Sequence, residues 1–219
     1  GTPNENTMHQ AHPVVKGKKT IITKWFRQTS LGGSAKQVLN KHVKTFTKEG
    51  FKKDKLDDQL FKKIKYFYDT ERNKFKEEFV AGNFIQSDLT KVPSELLDLT
   101  DDLRGKIHAS LKGPLEEWCK CNLKPTFVYG IRDYKEGAVL IPHRDRENTH
   151  IISAIINIAK DLDKDWPLVI EDHFYRKHEV FLEPGEIIFY ESARLLHGRP
   201  YPLQGRGFAN IFCHFTPVY

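Results

Sequence analysis

"LIPHRDREN", residues 140–148, sets a histidine and an aspartate two positions apart at the end of an apolar run. In an extended chain the side chains at i and i+2 leave the same face. His143 and Asp145 therefore project together into one space, and neither group is readily buried without a partner. The pair alone fits three arrangements: a hydrogen-bonded surface couple, a His–Asp catalytic dyad, or two ligands of a three-ligand metal site. The sequence around it has to decide between them.

Downstream of Lys124 the chain is a series of short β-branched and aromatic runs separated by turn residues. They read "TFVYGIRDY", "AVLIPH", "HIISAIINIA", "PLVIED", "HEVFLE", "EIIFYE" and "GFANIFCHF". Regularly spaced short strands of this kind point to a sandwich or jelly roll, placed here at residues 124–219. Upstream the pattern differs. Residues 1–15, with Pro3 and Pro13, read as a disordered leader, and "GKKTIITKWFRQTS" (17–30) as a strand or ordered arm. From Ser34 to Tyr68 apolar residues recur at three and four, as they do in a helix, with "GFKKDK" as a break. Residues 92–122 are expected to be helical as well, opened by Pro93–Ser94 and punctuated by Gly113–Pro114. The expected fold class is α+β: a jelly-roll core with a mainly helical segment, residues 16–123, packed on its sheet.

Composition bounds the function. With 39% hydrophobic and 29% charged residues, the 219-residue chain is globular rather than disordered. It has no apolar stretch near the roughly 20 residues a spanning helix needs, and no signal-peptide core at its start. A start at Gly1 reads as an expressed fragment, from which a targeting signal could have been cut away. Three cysteines, two of them in a C-x-C at 119–121, make no disulfide framework, and there is no N-x-S/T sequon. An intracellular setting is expected. Residues 1–65 carry 15 Lys+Arg against 5 Asp+Glu, so the front end is basic; it is a solvated face or a surface steered toward nucleic acid or an acidic partner.

The third ligand comes from elsewhere in the strand-rich half. His197 follows the buried-looking "PGEIIFYESARLL" and begins "HGRPYPLQGRGFANIF". Two histidines and one carboxylate, one of them delivered by a distant strand, make the facial triad of non-haem Fe(II) oxygenases, which leaves positions open for cosubstrate and dioxygen. A closed zinc site would ask for four ligands, usually with thiolates. Arg206, nine residues after His197 and just past Gly205, supplies a guanidinium that can grip a carboxylate through two hydrogen bonds. Arg199 is the next candidate for that clamp.

Residues 126–217 resemble the catalytic core of the Fe(II)/2-oxoglutarate-dependent oxygenases, most closely the prolyl 4-hydroxylase branch. The resemblance lies in Y-x-x-G followed by P-H-x-D, here Tyr134, Gly137, Pro142, His143 and Asp145, and in the distal His197, Gly205 and Arg206. It implies a double-stranded β-helix, Fe(II) on His143, Asp145 and His197, and 2-oxoglutarate paired with Arg206 in a pocket lined by Tyr134. It also implies O2 as oxidant, with ascorbate as reductant. Ser153 and Asn157 share a strand face and are candidates for touching the cosubstrate, or else for bonding within the sheet. Arg132 and Arg199 are candidate substrate contacts. His150, His173, His178 and His214 read as ordinary surface or core histidines. The chain departs from the branch at Leu140, where a tyrosine is usual, and in "DWPLVIED", where paired glycines are usual.

The activity implied is hydroxylation of a protein or peptide, with peptidyl proline as the leading target and lysine as another. Demethylation of nucleic acid, as in the AlkB-like branch, is the alternative. That branch places an arginine about 17 residues beyond the distal histidine, where this chain has His214. A non-catalytic jelly-roll binding module is the remaining reading.

Overall fold

Period-two alternation organises the described residues, 43–218 of a computed structural model, into two facing antiparallel sheets. The strands are β1 (Phe51–Lys55), β2 (Lys76–Glu77), β3 (Ile85–Gln86), β4 (Ser94–Leu97), β5 (Leu123–Tyr134), β6 (Val139–His143), β7 (Ile152–Leu162), β8 (Leu168–Glu171), β9 (Lys177–Val180), β10 (Glu186–Tyr190), β11 (His197–Arg199) and β12 (Gly205–Pro217). The larger sheet runs β1-β10-β7-β12-β5-β4-β2 and the smaller β3-β6-β11-β8-β9. All seven strands expected after Lys124 are present, and the architecture is the expected jelly roll in an α+β chain.

Each long strand of the larger sheet faces two ways. On β7 and β12 the residues Ala154, Ile156 and Ile158, and Ala209, Ile211, Cys213 and Phe215, turn outward into one core with the helices. Ile155, with Phe212 packed against it, turns inward to meet Leu168 and Ile170 of the smaller sheet. The outward face is covered by two helices, α1 (Asp58–Thr70) and α2 (Asp101–Cys119). Both are cut for this task. Leu60, Ile64 and Tyr68 form a stripe at intervals of four along α1, and Leu103, Ile107, Leu111, Leu115 and Cys119 do the same along α2. Asp57 caps α1 by accepting the Leu60 N–H at 2.9 Å, and Thr100 caps α2 by accepting the Leu103 N–H at 3.3 Å. Among the described residues, neither helix is long and apolar enough to cross a membrane.

The front end departs from its expected helicity in three places. Residues 43–50 are irregular, although Val43 and Phe46 lie at helical spacing, because the Phe46 and Thr47 N–H groups bond the buried Glu191 carboxylate at 3.1 and 2.8 Å. "FKKDK" is not a break between helices but β1, an edge strand paired to β10. Pro93–Ser94 opens strand β4, paired to β5, rather than a helix. Conversely, Gly113–Pro114 does not end a helix: α2 runs through Pro114. Proline disfavours the helical conformation in the residue before it partly through that residue's Cβ, and Gly113 has none. The leader, the 17–30 arm and the start of the expected helical run, residues 34–42, lie outside the described residues. The described part of the front end adds β1, β2 and β4 to the larger sheet and β3 to the smaller.

One close approach positions the site. β11 lies between β6 and β8, and a Cβ on Gly198 would stand 2.7 Å from the Leu140 carbonyl oxygen and 2.8 Å from backbone atoms of Pro142. Only glycine lets β11 sit this deep.

Ile107, the second residue of the α2 stripe, is fully buried. Ile107→Ala is expected to destabilise the protein by about 2–5 kcal/mol, read as a lower urea midpoint with unchanged slope, whereas Lys106→Ala on the exposed face should stay within about 0.5 kcal/mol. Equal midpoints for the two variants would contradict the packing described.

Candidate active site

The two histidines of the expected triad are cross-strand neighbours: β11 pairs with β6 so that His197 lies opposite His143. Their rings sit 4.6 Å apart between centroids. Asp145 follows β6, and its backbone N–H is held by the Ser192 carbonyl at 3.0 Å. The Asp145 carboxylate comes within 3.4 Å of His143 Nε2 and 3.9 Å of His197 Nε2, and one donor atom from each of the three residues lies within 4.8 Å of the others. Each imidazole is locked from behind. His143 Nδ1 donates to the Ile141 carbonyl at 2.8 Å and His197 Nδ1 to the Leu195 carbonyl at 2.9 Å. Both Nε2 lone pairs are thereby presented forward, the usual arrangement behind metal-bound histidine. Phe84 packs on His143 and Tyr190 on His197, fixing the ring planes.

Charge is set to match. Burial, with His143 beside it, pushes the His197 imidazole down to about 4, so it is neutral at ordinary pH. Burial alone would raise the Asp145 carboxyl, but the close approach of the His143 imidazole, with His197 and His214 beside it, outweighs burial and holds it below the usual carboxylate range. Two imidazoles and a carboxylate on one face fit a divalent first-row metal, iron in particular.

The triad opens into a cavity of about 600 Å³ between the sheets. Arg199, two residues beyond His197 on β11, also lines it and is 2% exposed. Its guanidinium lies over the Trp166 and Phe208 rings at 4.8 and 4.5 Å, and Nη1 donates to the Trp166 carbonyl. Nη2 is buried and has no hydrogen-bond partner, and burial pushes the group down to about 10. The Tyr134 hydroxyl, buried and likewise unpartnered, belongs to the same cluster through Trp166. A buried guanidinium that lines the cavity with one nitrogen unpartnered is complementary to a carboxylate, whereas the Tyr134 hydroxyl does not line the cavity.

Arg206 is elsewhere. The register shift between Gly205 and Gly207 turns it outward, its side chain is 85% exposed, and it forms a two-point pair with Asp161 at 2.8 and 3.0 Å. It does not line the cavity; the arginine that does, with Nη2 unpartnered, is Arg199. Arg132 does line the cavity, but Glu78 holds its guanidinium through two 2.6 Å bonds under the Phe212 ring. Ser153 and Asn157 serve the sheet interior rather than the cavity wall. Ser153 bonds Ser192 and His214, and Asn157 bonds Asn210 and the Ala209 carbonyl.

Sequence reasoning passed over His214, His150 and the aromatic wall they form. His214 and His150 line the cavity with their rings 3.9 Å apart, beside Tyr129 and Phe127. The available signal was period two on β12, where Phe212 and His214 share the inward face. Phe84, Val80 and Ala81 complete the opposite rim, so the front end frames the cavity.

No family model and no curated protein matches the chain. Solved structures do. A Pseudomonas putida prolyl-4-hydroxylase matches at 14% identity and TM-score 0.52, covering 78% of this chain and 94% of its own. HygX from Streptomyces hygroscopicus, solved with nickel, 2-oxoglutarate and hygromycin B, matches at 11% identity and TM-score 0.55, covering 85% and 88%. The viral collagen prolyl hydroxylase of Paramecium Bursaria Chlorella virus-1, solved with 2-oxoglutarate, matches at 13% identity and TM-score 0.51, covering 77% and 96%. The chain thus has the fold of the 2-oxoglutarate oxygenases.

The depressed imidazole has a consequence for stability. Between pH 6.5 and about 4 the unfolded chain binds a proton at residue 197 that the metal-free folded chain does not, so stability rises with pH across that window. The thermal midpoint of the metal-free protein is expected to fall steadily as pH drops from 6.5 to 4, and less steeply in His197→Gln. A midpoint independent of pH there would contradict the burial of a neutral His197.

Proposed function

We propose that the protein is an Fe(II)- and 2-oxoglutarate-dependent dioxygenase that hydroxylates a peptide substrate, with peptidyl proline as the target. The observation that carries the class is the co-location of the triad with Arg199. One cavity offers three metal-ligating atoms and, beyond them, a buried guanidinium whose Nη2 has no partner. In this reading His143, Asp145 and His197 hold iron. Arg199, with Tyr134, takes the distal carboxylate of 2-oxoglutarate in place of Arg206. With both bound, O2 and 2-oxoglutarate are consumed, succinate and carbon dioxide are released, and a substrate C–H becomes C–OH. The chain's own part is to orient the ligands through Ile141 and Leu195, to anchor the cosubstrate, and to keep bulk water from its deep end.

The substrate reading rests on the outer cavity. Phe127, Tyr129, His150 and His214 on one side and Phe84 on the other make an aromatic-walled opening, and aromatic grooves suit the preformed, low-entropy shape of proline-containing segments.

Incubation with Fe(II), 2-oxoglutarate and proline-containing peptides is expected to give succinate and a +16 Da peptide. Formaldehyde from a methylated oligonucleotide, with no peptide oxidised, would replace this reading with nucleic-acid demethylation. His143→Ala, Asp145→Ala and His197→Ala should each abolish succinate formation while leaving the fold intact. Arg199→Ala should raise the KM for 2-oxoglutarate by about two to three decades, from the roughly 3–5 kcal/mol lost when a buried pair is broken. Arg199→Lys should be milder, and Arg206→Ala unchanged. A larger effect at Arg206 than at Arg199 would return the clamp to the surface strand.

A further inference from the structure

A line of hydrogen bonds behind the aromatic wall fixes what the wall offers to a substrate. Ser192 Oγ lies 2.7 Å from the His150 carbonyl oxygen, Ser153 Oγ lies 2.6 Å from Ser192 Oγ, and His214 Nδ1 lies 2.7 Å from Ser153 Oγ. A carbonyl only accepts, so the single Ser192 hydroxyl proton goes to His150. The Ser153–Ser192 contact then needs the Ser153 proton, because two hydroxyl oxygens at 2.6 Å cannot meet lone pair to lone pair. Ser153 has no second proton, so the third contact is donated by His214: its hydrogen sits on Nδ1. A neutral imidazole that carries its hydrogen on Nδ1 has a lone pair, not a hydrogen, at Nε2. Nε2 is left bare. Within the described residues it bonds nothing, while the ring lines the cavity with Nδ1 4.0 Å from the Asp145 carboxylate.

We propose that His214 is a specificity-determining residue that accepts a hydrogen bond from the substrate through Nε2, and that the donor is a backbone amide N–H flanking the target residue. The choice of an amide rests on the peptide-hydroxylase reading above; the acceptor polarity does not. A prolyl nitrogen carries no hydrogen, so the donor has to belong to a neighbour of the proline. The same polarity disfavours substrates that present only acceptors at that point, because an acceptor would face a lone pair. Tyr129 and His150 stand against the ring of His214, Phe127 stands against both of them, and the three present ring surface to the rest of such a substrate.

Two measurements separate the parts. In protein labelled with 15N-histidine and loaded with Zn(II) in place of iron, long-range 1H–15N correlation at neutral pH is expected to show His214 protonated at Nδ1 and bare at Nε2. Ser153→Ala removes the acceptor and should shift population toward Nε2–H. A wild-type His214 with its proton on Nε2, or a tautomer indifferent to Ser153→Ala, would overturn the acceptor assignment whatever the substrate is. The second measurement uses a proline-containing peptide and two depsipeptides in which one or the other flanking amide N–H is replaced by an ester oxygen. One depsipeptide is expected to show a KM about three- to tenfold above the parent with wild-type protein, the range of a single hydrogen bond. His214→Phe should show the higher KM with the parent and no further rise with that depsipeptide. Losses that are the same in both proteins would overturn the donor assignment. If no peptide is oxidised at all, the hydroxylase reading and the amide identity fail together, and the tautomer measurement alone decides the role of His214.

Discussion

A guanidinium buried to 2% exposure, with one nitrogen lacking any partner, is the constraint on which the rest of this structure turns. Removing a cation from water costs several kcal/mol even after relaxation, roughly, and the rings of Trp166 and Phe208 recover only part of that. Such a group is stable in the fold because β11 is short, central in its sheet and tied on both sides, to β6 and β8. The backbone can come that close only because residue 198 has no side chain. The same three-residue strand carries His197, so the geometry that buries the cation also completes the triad.

The layers outside this strand hold it in place. α1 and α2 cover the outward face of the larger sheet, leaving its inward face to build the cavity with the smaller sheet. Glu191, buried near the end of β10, gathers the Phe46 and Thr47 N–H groups and stands 3.1 Å from His173. The next residue, Ser192, gives its carbonyl to Asp145 and its hydroxyl to the line that orients His214. Anchoring the front end and aligning the site are therefore consecutive steps along one loop.

Much of the jelly roll was legible because its strands are β-branched and separated by turns, a local signal. His143 and Asp145 were legible for the same reason, being two apart on one strand. The misread elements all depend on distant partners. β1 and β4 look like helix punctuation until they are paired with β10 and β5. α2 looks divided at Gly113–Pro114 until the continuous stripe from Leu103 to Cys119 is seen to pack. The clamp was sought at Arg206 because spacing beyond a histidine is a one-dimensional cue. Spacing does not reveal the register shift that turns Arg206 to Asp161 and leaves Arg199 in the interior. His214 was invisible as a site residue because its role depends on a serine 61 positions away in the chain.

The most direct test is a crystal structure of the protein with Mn(II) and N-oxalylglycine, an unreactive analogue of 2-oxoglutarate. The expected result is metal bound by His143, Asp145 and His197, with the distal carboxylate of the analogue on Arg199 Nη2 and the Tyr134 hydroxyl and Arg206 still paired to Asp161. Metal bound elsewhere, or an analogue whose carboxylate leaves Arg199 untouched, would contradict the account.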